Sequence, residues 1–359
     1  MPVHGLRDDL DFRSDNVASV SPAILEALME AGRVGAPAYG ADTWSLALER
    51  RLGDLFQAEV AVFPVATGTA ANALALSALC PPWGVIYCHR LAHIEEDECG
   101  APALFTGGAK LELLDGADGR LEYNLLAAAL AAAPVGVSHR MQPAAVSLSQ
   151  VSECGTLYRP DEIAAIAALC RRHGLHLHMD GARFANAVAR LGCTPAALAN
   201  LAGVDVLSFG ATKNGAFAAE ALVFFRPDLA ADFRYRRKRA GHLLSKQRFL
   251  AAQLLAYLDD NLWLANAAHA NDMASRLAAG IAALPGARLL YPVEANEVFV
   301  TLPEGTAARL EAAGVGFYRW GGEDRDTIRL VAAFDTAPAA VDRLVALLAG
   351  SLDERGNSA

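Results

Sequence analysis

Cysteine, aromatic residues and long apolar runs are all scarce in this sequence, and each scarcity closes off a class of protein. The six cysteines, at 80, 88, 99, 154, 170 and 193, include no C-x-x-C pair. Scattered single thiols exclude a disulfide scaffold and a zinc centre, so no metal is expected, and they suit a reducing compartment. No apolar stretch is long enough to span a bilayer, and Ala-rich segments such as 125–133 are too short or interrupted. The stretch 1–11 is polar and acidic and has no apolar core of a signal peptide. A soluble cytoplasmic protein with no membrane partner is the expectation. Positive charge is in deficit too: 31 Lys and Arg against 40 Asp and Glu leave a net charge of -9. That argues against nucleic acid as a partner. One basic run, 234–239, opposes the trend and reads equally as a solvated helix face or as a phosphate or subunit contact. A G-x-G-x-x-G fingerprint is also missing, which removes the usual dinucleotide site.

What is present is a large apolar fraction, 53% of 359 residues, enough for a sizeable core and two domains. Ser21-Pro22 opens a helix, followed by helices at 43–56 and 70–79. Apolar runs at 60–65, 85–88, 144–148, 175–179, 204–209 and 221–225 read as buried strands, and 160–173 as a helix stopped by Gly174. Strands alternating with helices imply an α/β fold with a mostly parallel sheet covered on both faces. Residues 243–284 are helix-rich, with a break near 259–261. After Pro285-Gly286 come short strands, 297–302 and 327–332, and helices at 306–313 and 338–348, a small α+β domain. The expected division is a large domain over 1–250 with segment 1–20 reaching the site, connecting helices over 251–284, a small domain over 285–352 and a disordered tail from 353.

Two strand ends carry the chemistry. The run Leu175–Met179 ends in Asp180-Gly181-Ala182-Arg183, and the run ending at Phe209 leads into Gly210-Ala211-Thr212-Lys213-Asn214-Gly215. Ligand sites in α/β proteins gather at strand ends. An acid and a lysine on neighbouring ends suit pyridoxal 5'-phosphate, which needs a lysine for covalent attachment and an acid to keep its ring nitrogen protonated. Taken singly, Lys213 could be a surface cation, Asp180 a helix N-cap and Arg183 half of an ordinary ion pair. Thr67-Gly68-Thr69 lies between a strand and a helix, where free N–H groups can take an anion.

The order Asp-x-x-Arg followed by Lys in a Thr-Lys-Asn-Gly turn resembles the PLP-dependent aldolase and β-eliminating lyase family, and within it the low-specificity L-threonine aldolases. The resemblance runs from Phe12 to about Leu348 and implies the PLP-dependent transferase fold type I. It implies that Lys213 carries the cofactor and Asp180 holds its ring nitrogen. It places Arg183 beside the phenolic oxygen, Gly68 and Thr69 on the phosphate, and His93 on the ring face. His139 is implied as a second histidine near the substrate hydroxyl. Ser14, in the motif Arg13-Ser14-Asp15-Asn16, and Arg329 are implied to hold the substrate carboxylate. Tyr39-Gly40 resembles a pair that enters a neighbouring subunit's site, and Lys246, with Lys238 or Arg237 behind it, is implied as a phosphate contact across that interface. Asn72 reads as packing. Two departures stand out: Asn214-Gly215 after the lysine, and the loop 149–155 in place of the usual Glu-Asn-Thr-His type.

The implied reaction is reversible retro-aldol cleavage of L-threonine, L-allo-threonine and related L-β-hydroxy-α-amino acids, phenylserine among the candidates, to glycine and an aldehyde. The implied assembly is a homodimer at least, with a tetramer expected. The competing readings are β-elimination or transamination at the same cofactor, and a cofactor-free binding protein.

Overall fold

A computed structural model describes residues 10–322 and 326–353. Of the expected tail only Asp353 is described, as the last residue of the helix Pro338–Asp353, and the rest lies outside the described residues. Seven strands form the main sheet: β1 (Ala61–Val65), β2 (Gly84–His89), β3 (Lys110–Leu114), β4 (Gln142–Ser149), β5 (His176–Gly181), β6 (Val206–Gly210) and β7 (Glu220–Phe224). Their spatial order is β1-β7-β6-β5-β4-β2-β3. From β3 to β6 the pairing is parallel, while β7 runs antiparallel to both β6 and β1. The strands β1, β2, β4, β5 and β6 therefore all finish at one edge, and β7 begins there. Pro64 sits inside β1, which the sheet tolerates because β1 is an edge strand. Strand β3 and the helix Tyr123–Ala131 were not singled out in the sequence.

The side-chain alternation of β5 decides what faces what. Leu177 and Met179 join the apolar layer with Ile163 and Ile166 of the helix Pro160–Arg172. His178 and Asp180 point the other way, toward the helix Gly68–Leu79, whose Asn72 bonds Asp180. That helix is almost wholly buried and rich in alanine, so its backbone lies close to the sheet. Thr67 caps it, its Oγ1 accepting from the Ala70 N–H at 3.2 Å.

A second sheet is made of β8 (Arg288–Leu289), β9 (Glu297–Thr301), β10 (Tyr318–Arg319) and β11 (Thr327–Val331), in the order β10-β11-β9-β8. Its core contains Leu277, Ile281, Val298, Leu330 and Leu344, and also Leu10 and Phe12. The packing thus departs from the expected division in two ways. Leu10 and Phe12, among the first described residues, belong to the small domain's core, bonded there by Phe12 N to Gly316 O at 2.8 Å and Val331 N to Phe12 O at 2.8 Å. The helix Arg248–Leu258 belongs to the large core, and the helix Leu262–Ala282 serves both, Trp263 and Ala267 on one side and Leu277 and Ile281 on the other. Amphipathic spacing shows that a helix has an apolar face, not which core that face meets. Among the described residues no helix is long and apolar enough to cross a membrane.

Candidate active site

The common edge where the parallel strands end gathers most of the expected residues. Asp180, the penultimate residue of β5, is buried. Its Oδ1 accepts from the Ala182 N–H at 2.9 Å and its Oδ2 from Asn72 Nδ2 at 2.8 Å. Burial works against the anion, but His93, the Ala182 N–H and Lys213 outweigh it and hold the carboxyl below its usual range. Asp180 does bond a backbone N–H like a cap, and its second oxygen accepts from the Asn72 side chain.

Lys213 follows β6 in the short turn Thr212–Asn214 and is half-buried. None of the salt bridges among the described residues involves it, so its amine is not committed to a structural partner. The turn itself is firmly held. Asn214 Nδ2 donates to Tyr257 Oη at 2.7 Å and to the Trp263 carbonyl at 2.8 Å. Gly215 has φ +110°, and a Cβ there would stand 2.4 Å from Ser21 Oγ. The pair Asn214-Gly215 is thus the anchor that sets the lysine's position. Glu220, at the start of β7, lies behind the turn with Oε1 3.4 Å from the Thr212 N–H. Burial pushes its carboxyl up to about 7.

Arg183 is buried and grips Asp15 through Nε at 2.7 Å and Nη2 at 3.1 Å, with Glu297 Oε1 3.5 Å away. Asn296 Nδ2 adds a bond to Asp15 Oδ2 at 3.0 Å. The ion-pair role foreseen for Arg183 taken alone is therefore present, made by the Asp15 of the N-terminal motif. Beyond Glu297 stands Arg329, its Nη1 3.9 Å from Glu297 Oε1 and its Nη2 3.5 Å from the Arg13 carbonyl. Ser14, the next residue, is buried and accepts from the Asn16 N–H at 3.1 Å. Arg329 Nε and both Glu297 oxygens are buried with no hydrogen-bond partner. Such orphaned polar atoms are uncommon in a finished interior and cluster where a ligand is expected.

His93 opens a short helix after β2 and bonds Glu98. That bond raises its affinity for a proton; burial opposes, and Asp180 and Glu153 add to the rise. Glu153 lies half-buried in the loop after β4, and burial pushes it up to about 7 against the pull of His93, Lys213 and Arg183. Beneath Asp180, His178 is buried between Ser147 Oγ at 2.9 Å and Ser208 Oγ at 3.0 Å.

At the end of β1, Gly68 opens the helix with nothing within 4 Å of the place where a side chain would start. Arg237 is buried nearby, its Nη1 3.3 Å from the Pro64 carbonyl and its Nε unbonded. No carboxylate pairs with it among the described residues, and burial lowers its pKa to about 10. A buried cation without an anion, held at the Pro64 carbonyl three residues before Thr67, fits a phosphate-binding end.

Three expectations need correction or a different setting. His139 is exposed in the loop before β4, in a cleft with Lys110, Glu112 and Arg140. Parallel strands place that loop at the opposite edge of the sheet, so His139 is removed from the site of its own chain. Asn72 is more than packing, since it bonds two carboxylates. Tyr39 and Lys246 are exposed, with Tyr39 N bonded to the Ser245 carbonyl at 2.9 Å and Lys238 Nζ 5.1 Å over the Tyr39 ring. Among the described residues no bond links either to the Lys213–Asp180 cluster. Sequence reasoning missed Glu98, Glu153, Glu220 and Glu297 altogether. Asn72 offered a signal: it is a carboxamide inside the run Ala70–Leu79, which is otherwise apolar apart from Ser77.

The profile of the β-eliminating lyase family matches residues 11–304. A low specificity L-threonine aldolase of Pseudomonas aeruginosa is 47% identical over 326 residues, spanning 90% of this chain and 93% of that protein. One from a Pseudomonas species is 44% identical over 336 residues, spanning 93% of this chain and 96% of the other. The solved structure of a Leishmania major threonine aldolase superposes with a TM-score of 0.89 at 30% identity, covering 95% of this chain and 99% of that one.

Proposed function

The chain belongs to the β-eliminating lyase family, and from that premise we propose that it is a low-specificity L-threonine aldolase. It cleaves L-threonine, L-allo-threonine and related L-β-hydroxy-α-amino acids to glycine and an aldehyde, reversibly. Its fold is the fold type I of PLP-dependent enzymes. The observation that carries the reading is the placement of Lys213, half-buried and outside every described salt bridge, at the strand end beside the buried anion Asp180.

The residues fit pyridoxal 5'-phosphate. Lys213 would carry it covalently and Asp180 would hold its ring nitrogen. Gly68 and Thr69 would take its phosphate, with Arg237 and a neighbouring copy's Lys246 adding charge. His93 would cover its ring face, and Arg183 would stand near its phenolic oxygen. When bound, the cofactor supplies an electron sink for the pair released as the Cα–Cβ bond breaks.

Arg329 and Ser14 hold the substrate carboxylate and so set the torsion that aligns Cα–Cβ for cleavage. His93, directly or through water, accepts the proton of the β-hydroxyl as the bond breaks. The aldehyde departs, and Cα takes a proton to give glycine. Two anchors on Cα make the enzyme selective for the L configuration. The β-carbon is held only through its hydroxyl, so discrimination there is weak, roughly 1–3 kcal/mol.

The assembly we propose is a homodimer at least, with a tetramer expected. Support comes from the segment 25–46, where Leu25, Met29, Val34, Tyr39 and Leu46 are all exposed. Large apolar groups clustered this way mark a surface made to be covered.

Incubation with L-threonine and L-allo-threonine should release equal amounts of glycine and acetaldehyde. Borohydride reduction of the yellow protein should fix the cofactor to the peptide containing Lys213. Ammonia and a keto acid as products would replace this reading with elimination or transamination. A colourless protein that never takes up the cofactor would replace it with a binding role.

A further inference from the structure

Four side chains are joined in one hydrogen-bonded series beside the end of β5, and two of them have no part in the reaction outlined above. His93 Nδ1 lies 3.1 Å from Glu98 Oε1. Asn72 Nδ2 donates to that same Glu98 oxygen at 2.8 Å and to Asp180 Oδ2 at 2.8 Å. Serving two carboxylates fixes which way the Asn72 amide points, since its oxygen would repel both. Glu98 and Asn72 are buried, at 3% and 2% exposure.

Glu98 is poorly explained as a packing residue. Its Oε2 is buried without a partner, and an unsatisfied buried acceptor costs roughly 1–3 kcal/mol. Its single bonded oxygen is shared between the histidine and the amide. An ionised carboxylate can only accept, so the proton of the His93 contact belongs to Nδ1, and Nε2 is the nitrogen left to face outward.

We propose that Glu98 is a positioning residue: it keeps the proton of His93 on Nδ1 and presents Nε2 as the proton acceptor for the substrate hydroxyl. Asn72 ties Glu98 to Asp180, so that the base and the acid under the cofactor ring share one frame. This rests on the reading of His93 as the base given above. Besides Glu98, the charged groups acting on His93 are Asp180 and Glu153, which favour its protonated form, and Lys213, which opposes it. The hydrogen bond made by one ring nitrogen sets the tautomer of a histidine, and where the histidine holds a metal, losing the carboxylate behind it costs roughly 10–100-fold.

The experiment uses the holoenzyme with nitrogen-15-labelled histidine, the His93 signals being assigned by their loss in His93→Asn. Above its titration midpoint, neutral His93 should carry its proton on Nδ1; a neutral ring protonated on Nε2 overturns the proposal without any further variant. In Glu98→Gln, which keeps the size of the side chain, the His93 midpoint should fall by at least about one pH unit. The kcat for threonine cleavage should fall roughly 10–100-fold, with cofactor content unchanged and KM within about threefold. A His93 midpoint that does not move in Glu98→Gln also overturns it. If the wild-type enzyme releases no glycine from threonine, the aldolase reading fails, while the tautomer and the midpoint still judge the role of Glu98.

Discussion

Arg183 holds Asp15 with two nitrogens, Nε at 2.7 Å and Nη2 at 3.1 Å, and so ties the first turn of the described chain to the end of β5, 168 residues away. Both groups are buried. The same contact keeps Ser14 and the Arg13 carbonyl beside Arg329, so a structural pair also shapes the proposed substrate end of the site. Removing the carboxylate leaves a buried guanidinium whose remaining acids, Glu297 and Glu153, make no hydrogen bond to it among the described residues. Asp15→Ala should therefore lower unfolding stability by roughly 3–5 kcal/mol, measured as the urea midpoint. Acid unfolding gives a second check. Burial disfavours the Asp15 anion, but Arg183 and Lys213 outweigh it and hold the folded pKa below the usual value. Its contribution is therefore present above about pH 4, the unfolded carboxylate value, and is lost as pH falls through the lower folded one. The stability curve of Asp15→Asn should be flatter than wild type below about pH 4.

Arg329 is half-buried and its polar contacts are long. Its contacts are 3.9 Å and 3.5 Å long, and Nε has no partner. A substrate carboxylate can take the planar fork without first breaking a tight ion pair. Arg329→Lys keeps the charge and loses the fork. KM for threonine should rise roughly 10–100-fold, the equivalent of one charge-assisted hydrogen bond, with cofactor uptake unchanged. Kinetics like those of wild type would remove Arg329 from the site.

His178 should be electrically silent at neutral pH. Burial lowers its pKa to about 4, and the nearby Asp180 only partly opposes the shift. In the unfolded chain a histidine takes up its proton near pH 6.5, whereas the folded His178 does not until about 4. Stability should therefore fall as pH drops between those values. His178→Asn should lose that part of the slope. The difference between the two proteins isolates His178 from His93, whose raised pKa acts with the opposite sign.

The exposed segment 25–46 predicts the assembly. Sedimentation should find dimers or larger at micromolar concentration, and Met29→Asp should shift the protein toward monomer. If Tyr39 enters a neighbouring copy's site, activity should fall together with the mass. A fully active monomer would show that each chain carries a complete site.

Much of the site was legible because it depends on local pattern. An apolar run ending in Asp180, and another ending at the Lys213 turn, mark strand ends whatever surrounds them. The side of the sheet on which His139 stands was legible too. A residue just ahead of a strand in a parallel sheet stands at the edge where strands begin, and here the other site residues stand where strands end. The tethering of Lys213 by Asn214 was not legible, because Tyr257 and Trp263 lie on helices more than forty residues further along.

The sequence by itself determined the alternation of strands and helices, the acid and lysine at two neighbouring strand ends, and through them the cofactor class proposed above. Those features need only short-range periodicity and the chemistry of single side chains. Tertiary structure alone decided which other charges surround them. Glu98, Glu153, Glu220 and Glu297 read as ordinary surface acids in a chain with 40 acidic residues. What sets them apart is desolvation and the cations facing them, and both arise from contacts between segments far apart in the chain. Arg183 meets Asp15 across 168 positions, and Asn296 meets Asp15 across 281. Burial of a charge is a property of the folded volume around it, and no local pattern encodes that volume.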